Sequence, residues 1–391
     1  MQTAVESPSL TQLPPLIPRE ILFGNPERAR PQLSPDGKYL AYIAPDEKNV
    51  LQVWLRTIGQ EDDRQLTADQ KRGIRMYFWT YDGNHLIYMQ DADGDENFHC
   101  YSVNLHTNLV RDLTPFQGVK AQPIELNPDF PDELLVALNL NNPQVFDVYR
   151  VNLKTGAVEF DTANPGNIVS WTSDAQFQIR AAVAATDDGG SDLLYREAVE
   201  QSWETLRHWG PEDEGSPADF SLDGKTLYIV GSHDANAQRL LALDLATRHV
   251  TVIAEDPQYD VSGVVAHPRS RVLQAVAFYK DKLEWQILDP SIAADFEVLS
   301  QVRSGEYGIS SRTLADDRWL VSYTVDDGPV YYYLYDRETK QSTLLFSNKP
   351  VLETQPLTSM QPISYGARDG LTIHGYLTLP ANLPAKNLPA V

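Results

Sequence analysis

The 391-residue sequence predicts an all-β fold, a seven-bladed β-propeller built from four-stranded blades. Two observations carry this prediction: a short turn motif returns at a nearly constant spacing, and a second hairpin follows the copies of that motif. A β-sandwich gives no reason for such a period, and the coils of a β-helix are far shorter. Strands rich in Tyr, Val, Leu and Ile also suit small sheets that stack face to face, as propeller blades do.

The turn motif is clearest in the segment Ser34-Pro35-Asp36-Gly37, which precedes an apolar run from Tyr39 to Ala44. Its copies begin at residues 34, 80, 127, 172, 221, 267 and 314, so the spacing stays between 45 and 49 residues. Six of the seven copies carry aspartate at the third position, where a carboxylate that accepts backbone N–H groups closes a tight turn. We therefore expect the motif to join two strands in every blade.

The second hairpin of each unit is clearest at residues 146–159 and 240–252, where apolar segments flank Thr155-Gly156 and Thr247-Arg248. Two hairpins per unit predict four strands per blade. The seven units cover residues 30–352. Because the first unit begins with its inner strand and the seventh supplies four strands of its own, we expect the ring to close without a strand from the N-terminus.

The two ends of the sequence lie outside the repeat. Residues 1–29 form an N-terminal extension, in which Ile17 to Ala29 predicts one or two short helical turns, with Pro18 near the start and Gly24-Asn25-Pro26 as a break. Residues 353–391 contain a polar linker and a further hairpin from Pro362 to Pro380, which turns at Arg368-Asp369-Gly370. We therefore expect a domain boundary after residue 352.

Composition and charge exclude several classes of function. The formal net charge of −22 repels nucleic acid and anionic lipid and favours cationic or amino-terminal ligands. Cys100 is the only cysteine, so neither an internal disulfide nor a cysteine-based zinc site can form. No stretch approaches 18 apolar residues, and the N-terminus lacks the pattern of a signal peptide. The sequence thus predicts a cytoplasmic chain that binds neither membrane nor nucleic acid.

The acidic segment Asp91–Asn97 is the sharpest local feature. Alternating carboxylates are typical of calcium sites, but the glycine does not stand where a helix-loop-helix site needs it, and no bidentate glutamate follows. A solvated hairpin tip is the alternative. The eight histidines are scattered without zinc-binding spacing, so we expect no metal and no cofactor. Tyr331–Tyr335 is interpreted as a strand that packs on both faces, and Cys100 as a buried strand residue.

Four segments together resemble the prolyl oligopeptidase family of serine peptidases. They are the opening Ile-Pro-Arg-Glu and Asn-Pro-Glu-Arg at residues 17–28, the first-blade motif, the Asp93–Asn97 loop and the hairpin at residues 367–380. The branch most similar is the acylaminoacyl-peptidase and dipeptidyl aminopeptidase-like one. The resemblance implies a propeller that lies over a hydrolase domain and filters short peptides by size. It also implies that Asp95, Glu96 and Asn97 face that domain, where they would bind the protonated amino terminus of a peptide.

No catalytic residue is assigned to this sequence. A hydrolase needs a Gly-x-Ser-x-Gly turn and an oxyanion loop of the His-Gly-Gly type, and neither occurs. We therefore expect the propeller portion of a peptidase with a truncated hydrolase domain, inactive alone. Its C-terminal strands would be poorly ordered or cling to the propeller, and their open edges would promote self-association.

A stand-alone interaction scaffold, similar to TolB-type propellers, is the alternative interpretation. The hairpin from Pro362 to Leu379 favours the peptidase, because a scaffold has no use for the first strands of a hydrolase. A propeller enzyme that acts on sugars or lactones would need metal ligands around the channel, which the scattered histidines do not supply.

Overall fold

The computed structural model describes residues 16–232, 234–380, 386 and 388. In this part of the chain, seven small antiparallel sheets follow one another along the sequence as the blades of a propeller ring. The predicted seven-bladed all-β fold is confirmed. Within a blade the strands pair in chain order, so the first strand lies innermost and each later strand lies farther from the axis.

The first three blades each contain four strands. Blade 1 consists of β1 (Ala29–Leu33), β2 (Tyr39–Pro45), β3 (Leu51–Thr57) and β4 (Arg64–Gln65). Blade 2 consists of β5 (Met76–Trp79), β6 (His85–Gln90), β7 (His99–Asn104) and β8 (Val110–Asp112). Blade 3 consists of β9 (Ala121–Asn127), β10 (Phe130–Asn142), β11 (Val145–Asn152) and β12 (Val158–Thr162).

Blades 4, 5 and 7 have the same plan. Blade 4 consists of β13 (Ile168–Ser173), β14 (Ile179–Ala185), β15 (Ser191–Tyr195) and β16 (Glu204–Trp209). Blade 5 consists of β17 (Gly215–Phe220), β18 (Thr226–Gly231), β19 (Arg239–Asp244) and β20 (Val250–Ala254). Blade 7 consists of β24 (Glu306–Arg312), β25 (Arg318–Thr324), β26 (Tyr331–Asp336) and β27 (Gln341–Ser347).

Blade 6 departs from the predicted four strands. Its sheet holds only β21 (Val261–Ala266), β22 (Leu273–Tyr279) and β23 (Leu283–Ile287). A short 3-10 turn at Pro290–Ile292 then leads into helix α2 (Ala293–Val302) instead of a fourth strand. Phe296 and Leu299 of α2 are buried with Trp319 of blade 7, so the helix fills the space between the two blades. The cause is local sequence: Asp289 accepts a hydrogen bond from the Ser291 amide and caps a helical start at Pro290.

The core consists of separate apolar clusters between neighbouring blades. Examples around the ring are Val53 with Leu86, Ile87 with Val136, Leu135 with Ile179, Leu193 with Ile229, Leu240 with Val276, Ala275 with Val321, and Leu40 with Leu320. Each sheet therefore buries apolar side chains on both faces, which explains why its strands carry few alternating polar positions.

The repeated turn joins the first two strands of each blade. In four copies the aspartate closes the turn as predicted. Its carboxylate oxygen accepts a hydrogen bond, 2.9–3.2 Å long, from the backbone N–H two residues further on. These four aspartates are Asp36, Asp82, Asp174 and Asp223. Asp316 differs, because its carboxylate binds the Trp319 indole N–H at 2.7 Å and Arg312. In the blade 6 copy, which has no aspartate, His267 Nδ1 accepts the Arg269 amide at 3.2 Å instead.

Blade 7 closes the ring against blade 1 without exchange of a strand, as predicted. The Leu33 amide donates to Ser311 Oγ at 3.0 Å, and the Leu314 amide donates to the carbonyl of Pro35 at 2.8 Å. The predicted N-terminal turn is the short helix α1 (Arg19–Phe23), which begins after Pro18 and ends at Gly24. It lies beside blade 7, where the Lys349 ammonium donates to the carbonyl of Leu22 at 2.8 Å.

After a 3-10 turn at Pro350–Thr354, the predicted C-terminal hairpin forms from β28 (Met360–Gly366) and β29 (Thr372–Thr378). It touches the ring at blade 6, where the Tyr376 hydroxyl donates to the carbonyl of Asp281 at 2.6 Å, and at blade 7, where the Met360 amide donates to the Asp326 carboxylate at 2.6 Å. Ile363, Tyr365 and Leu371 remain exposed. Self-association through these strands stays a prediction. The expected strands beyond residue 380 lie largely outside the described residues.

Candidate functional site

The loops of the propeller divide between its two faces. Because consecutive strands are antiparallel, the connections between blades and the loops between second and third strands open on the same face, which we call the upper face. The Asp91–Asn97 loop joins β6 to β7, the second and third strands of blade 2, as the sequence predicts. It therefore belongs to the upper face.

Asp95 shapes this loop from within. One of its carboxylate oxygens accepts the backbone N–H groups of Ala92 and Asn97, each at 3.1 Å, and the other accepts the Asn97 side-chain amide at 3.2 Å. Desolvation raises the pKa of Asp95, but the hydrogen bonds from Asn97 and the backbone outweigh it and hold that pKa below its usual range. Asp95 and Asn97 are thus occupied with loop structure.

Glu96 stands at the exposed tip of the loop. Its backbone adopts a φ of 61°, a left-handed conformation that is uncommon for a residue other than glycine. Its amide N–H is fixed by the buried Asp91 carboxylate at 3.2 Å. The Glu96 carboxylate itself makes no hydrogen bond or ion pair among the described residues, whereas Asp93 pairs with Lys71 at 2.7 Å and Asp91 with Arg72 at 3.5 Å. Of the four acids in the loop, Glu96 is the one with an uncommitted carboxylate, meaning one that has neither an ion pair nor a hydrogen bond among the described residues.

A cavity of about 1070 Å³ lies beside this loop, between the inner strands of blades 2 and 3. Phe78, Trp79 and Phe98 contribute aromatic surface to its wall, and Arg30 and Arg75 stand at its upper end. Its size matches the pockets that hold small molecules and short peptide segments. The cavity and the Glu96 carboxylate therefore share one side of the upper face.

Three charged residues meet across the lower part of the channel. Arg271, in the repeated turn of blade 6, donates to Asp219 of blade 5 at 2.6 Å and to Glu125 of blade 3 at 3.2 Å. The Ser173 hydroxyl also donates to Glu125. Burial raises the pKa of Glu125 to about 7, against the lowering effects of Ser173 and Arg271. Burial likewise raises the pKa of Asp219. Of this cluster, Glu125 also lines the cavity.

The sequence analysis did not identify this cluster. The signal available was the blade 6 copy of the turn motif, the only copy without aspartate, in which His267-Pro268-Arg269 is followed closely by Arg271. Nothing in the sequence indicates which acids the arginine meets.

Two sequence interpretations of single features are confirmed. Cys100 is buried in β7 against Met89, and burial raises the pKa of its thiol to about 12, so it is a packing residue. Tyr331–Tyr335 forms most of the third strand of blade 7, with Tyr331 and Tyr335 buried in the core. Among the described residues, no group of three or more acidic, histidine or cysteine side chains is arranged to hold a metal ion. No helix in the described ranges is long and apolar enough to cross a membrane.

Comparison with known proteins gives a consistent set of relatives. No family model matches the sequence. The chain is 40% identical over 375 residues to dipeptidyl aminopeptidase BIII of Pseudoxanthomonas mexicana, which aligns 95% of this chain with 54% of that protein. It is 27% identical over 390 residues to dipeptidyl peptidase family member 6 of Caenorhabditis elegans, with 94% of this chain and 52% of that protein covered. The chain thus spans about half the length of these relatives.

Solved structures show the same fold at low sequence identity. A prolyl endopeptidase aligns with a TM-score of 0.66 and 12% identity, over 90% of this chain and 54% of its own. A puromycin-hydrolysing peptidase of Mycobacterium tuberculosis aligns with a TM-score of 0.66 and 14% identity, over 93% and 60%. The turn motifs, the closed ring and the curated relatives agree: over about half the length of these relatives, the chain is homologous to dipeptidyl aminopeptidases and folds as a β-propeller.

Proposed function

We propose that this propeller selects short peptides for a serine peptidase, by binding their free amino termini and by excluding folded chains. The relatives named as dipeptidyl aminopeptidases and peptidases support the reaction class. The acyl-transfer groups would come from residues outside this sequence, since it contains no Gly-x-Ser-x-Gly turn.

The observation that carries the proposal is the uncommitted carboxylate of Glu96. It belongs to a braced loop on the upper face, and Asp91 and Phe98 at the two ends of this loop line a cavity large enough for a short peptide segment. A protonated amino terminus offers three N–H donors, and a carboxylate that accepts them forms charge-assisted hydrogen bonds. Asp95 and Asn97 contribute by holding the loop in shape, so that Glu96 keeps its strained backbone conformation.

Glu96→Gln is expected to weaken binding of a tetrapeptide with a free amino terminus about tenfold, because a neutral amide replaces the charged acceptor. Binding of the N-acetylated peptide should not change. Isothermal titration calorimetry on the purified chain measures both dissociation constants.

Glu47→Gln is the matched control for this experiment. Glu47 is an exposed glutamate in the corresponding loop of blade 1, between β2 and β3. If Glu96→Gln and Glu47→Gln bind the free peptide equally well, the assignment of Glu96 is wrong. Asp95→Asn should weaken binding less directly, through a looser loop, and should also increase hydrogen exchange of the Asn97 amide.

A fluorophosphonate probe for reactive serines is expected to leave the chain unlabelled. Two of the serines that come nearest to a nucleophile motif, Ser310 and Ser311, belong to the inner strand β24, and a third, Ser232, directly follows β18. Mass spectrometry after incubation with the probe provides the measurement. Stoichiometric labelling of one serine would show that the chain holds a nucleophile of its own.

A further inference from the structure

The upper end of the channel cavity concentrates positive charge in a strongly acidic chain. The formal net charge is −22, yet Arg30, Lys71, Arg72 and Arg75 all line this one cavity. Two of these cations are neutralised by the acidic loop, since Lys71 pairs with Asp93 and Arg72 with Asp91. Arg30 and Arg75 have no carboxylate partner among the described residues.

The backbone fixes Arg30 in an unusual conformation. A register irregularity between Ala29 and Gln32 interrupts the pairing of β1 with β2, and Arg30 has a φ of 50°. The hydroxyl of Tyr77 in blade 2 lies within hydrogen-bond distance of the Arg30 and Ala41 carbonyls and can donate to either, which holds the irregular segment against blade 2. Irregularities of this kind redirect side chains and are frequent beside functional sites.

Arg75 lies next to this side chain. Arg30 Nη1 donates to the Arg75 carbonyl at 2.7 Å, so the two residues are held together at the blade 1 to blade 2 junction. A neutral carbonyl satisfies one N–H group of Arg30 but compensates no charge. The side chain of Arg75 is exposed, and it makes no hydrogen bond among the described residues. The two arginines at this junction therefore both offer guanidinium donors, whose planar arrangement suits a carboxylate.

The rest of the cavity indicates what kind of anion would fit. Beside the arginines the wall is aromatic, with Phe78 and Trp79 from β5 and Phe98 just before β7. Lower down, Glu125, which pairs with Arg271 at 3.2 Å, also lines the cavity. An inorganic anion would leave the aromatic wall unused, whereas a carboxylate attached to an apolar side chain would cover it.

We infer that Arg30 and Arg75 form a carboxylate site that binds the C-terminal carboxylate of a short peptide, with the last side chain against the aromatic wall. This inference rests on the proposed function, because it supplies the second anchor for the same ligand: Glu96 holds the amino end and the arginines hold the carboxyl end. A site with two charged anchors at fixed separation selects peptides by length, since a longer or amidated peptide satisfies only one of them.

The test uses four forms of the tetrapeptide Ala-Ala-Ala-Phe, with the amino end free or acetylated and the carboxyl end free or amidated. Calorimetry on the wild-type chain should show about tenfold weaker binding on amidation, whether or not the amino end is acetylated. Arg75→Gln should bind the acid and the amide equally. Arg368→Gln, an exposed arginine on the C-terminal hairpin, is the control and should keep the tenfold difference.

The four peptides separate this inference from the proposed function. An effect of acetylation without an effect of amidation would overturn the carboxylate site and leave amine recognition intact. An effect of amidation that disappears in Arg75→Gln would support the carboxylate site even where acetylation has no effect. If the amidation effect survives in both Arg75→Gln and Arg30→Gln, the carboxylate is bound elsewhere and the inference is wrong.

Discussion

Asp295→Ala is expected to lower the free energy of unfolding by about 2–3 kcal/mol, because it removes a buried acceptor that several hydrogen-bonded partners share. Asp295 is fully buried in α2. Its carboxylate accepts hydrogen bonds from the Tyr335 hydroxyl at 2.8 Å and from Arg337 at 3.0 and 3.1 Å, and it also pairs with Lys340. These three partners belong to blade 7, so the substitution would loosen the attachment of the helix that replaces the fourth strand of blade 6.

Urea unfolding at pH 7 measures this effect, and Glu297→Ala provides the control because Glu297 is exposed on the same helix. Lowering the pH should reduce the difference in the free energy of unfolding between the Asp295→Ala chain and the wild type. Burial raises the pKa of Asp295, but the bonds from Lys340, Tyr335 and Arg337 outweigh it and lower that pKa. The stabilisation is therefore present above the usual aspartate pKa and is lost as the pH falls through the lowered one. A loss below 1 kcal/mol at pH 7 would contradict the structural role of Asp295.

Arg271→Ala is expected to lower the free energy of unfolding by about 2–3 kcal/mol at pH 8 and by clearly less at pH 5. The value is below the range for fully buried pairs because the side chains of Glu125 and Asp219 remain 30% and 33% exposed to the channel. Without Arg271, two neighbouring carboxylates would face each other across a narrow channel. At low pH they are protonated and the repulsion disappears.

The direction of this pH dependence follows from the pKa of Glu125, which burial raises to about 7 in the folded chain. A carboxyl whose pKa rises on folding stabilises the fold below its unfolded pKa, and this contribution is lost as the pH rises through about 7. Removal of Arg271 raises the pKa of Glu125 further, so more stability is lost as the pH rises.

Urea unfolding at pH 5 and pH 8 measures both values. Arg269→Ala, an exposed arginine two residues away, serves as the control. Glu125→Gln combined with Arg271→Ala should recover stability at pH 8 and flatten the pH dependence. An equal loss at pH 5 and pH 8 would show that Arg271 acts through packing alone.

The two charged clusters contain contacts that the sequence did not predict. The motif Asp was expected to close a local turn, and Asp36, Asp82, Asp174 and Asp223 do so with backbone groups two residues away. Asp316 stands at the same position of the motif, but its carboxylate serves Trp319, Arg312 and Arg337. The third-position aspartate is common to both uses, and the difference depends on Arg312 and Trp319 of the flanking strands and on Arg337 beyond β26.

The candidate site also combines one feature that the sequence predicted with one that it did not. The position of the Asp91–Asn97 loop between the second and third strands of blade 2 followed from counting strands within the repeat, and the structure confirms it. Which of its acids is uncommitted did not follow, because that depends on Lys71 and Arg72 reaching the loop from the blade 1 to blade 2 connection.

The sequence by itself determined the number of blades, the position of the repeated turns and the closure within blade 7. These features depend on local turn chemistry and on apolar runs, and each repeat reports them again. Only the tertiary structure decided that α2 replaces a strand and that Arg271 meets Glu125, which lies 146 residues away along the chain. It also decided that Arg30 and Arg75 have no acidic partner in the part of the chain that the structure describes. The physical reason is that a ring brings distant residues together across its axis, and electrostatic contacts of this kind carry no period that a sequence displays.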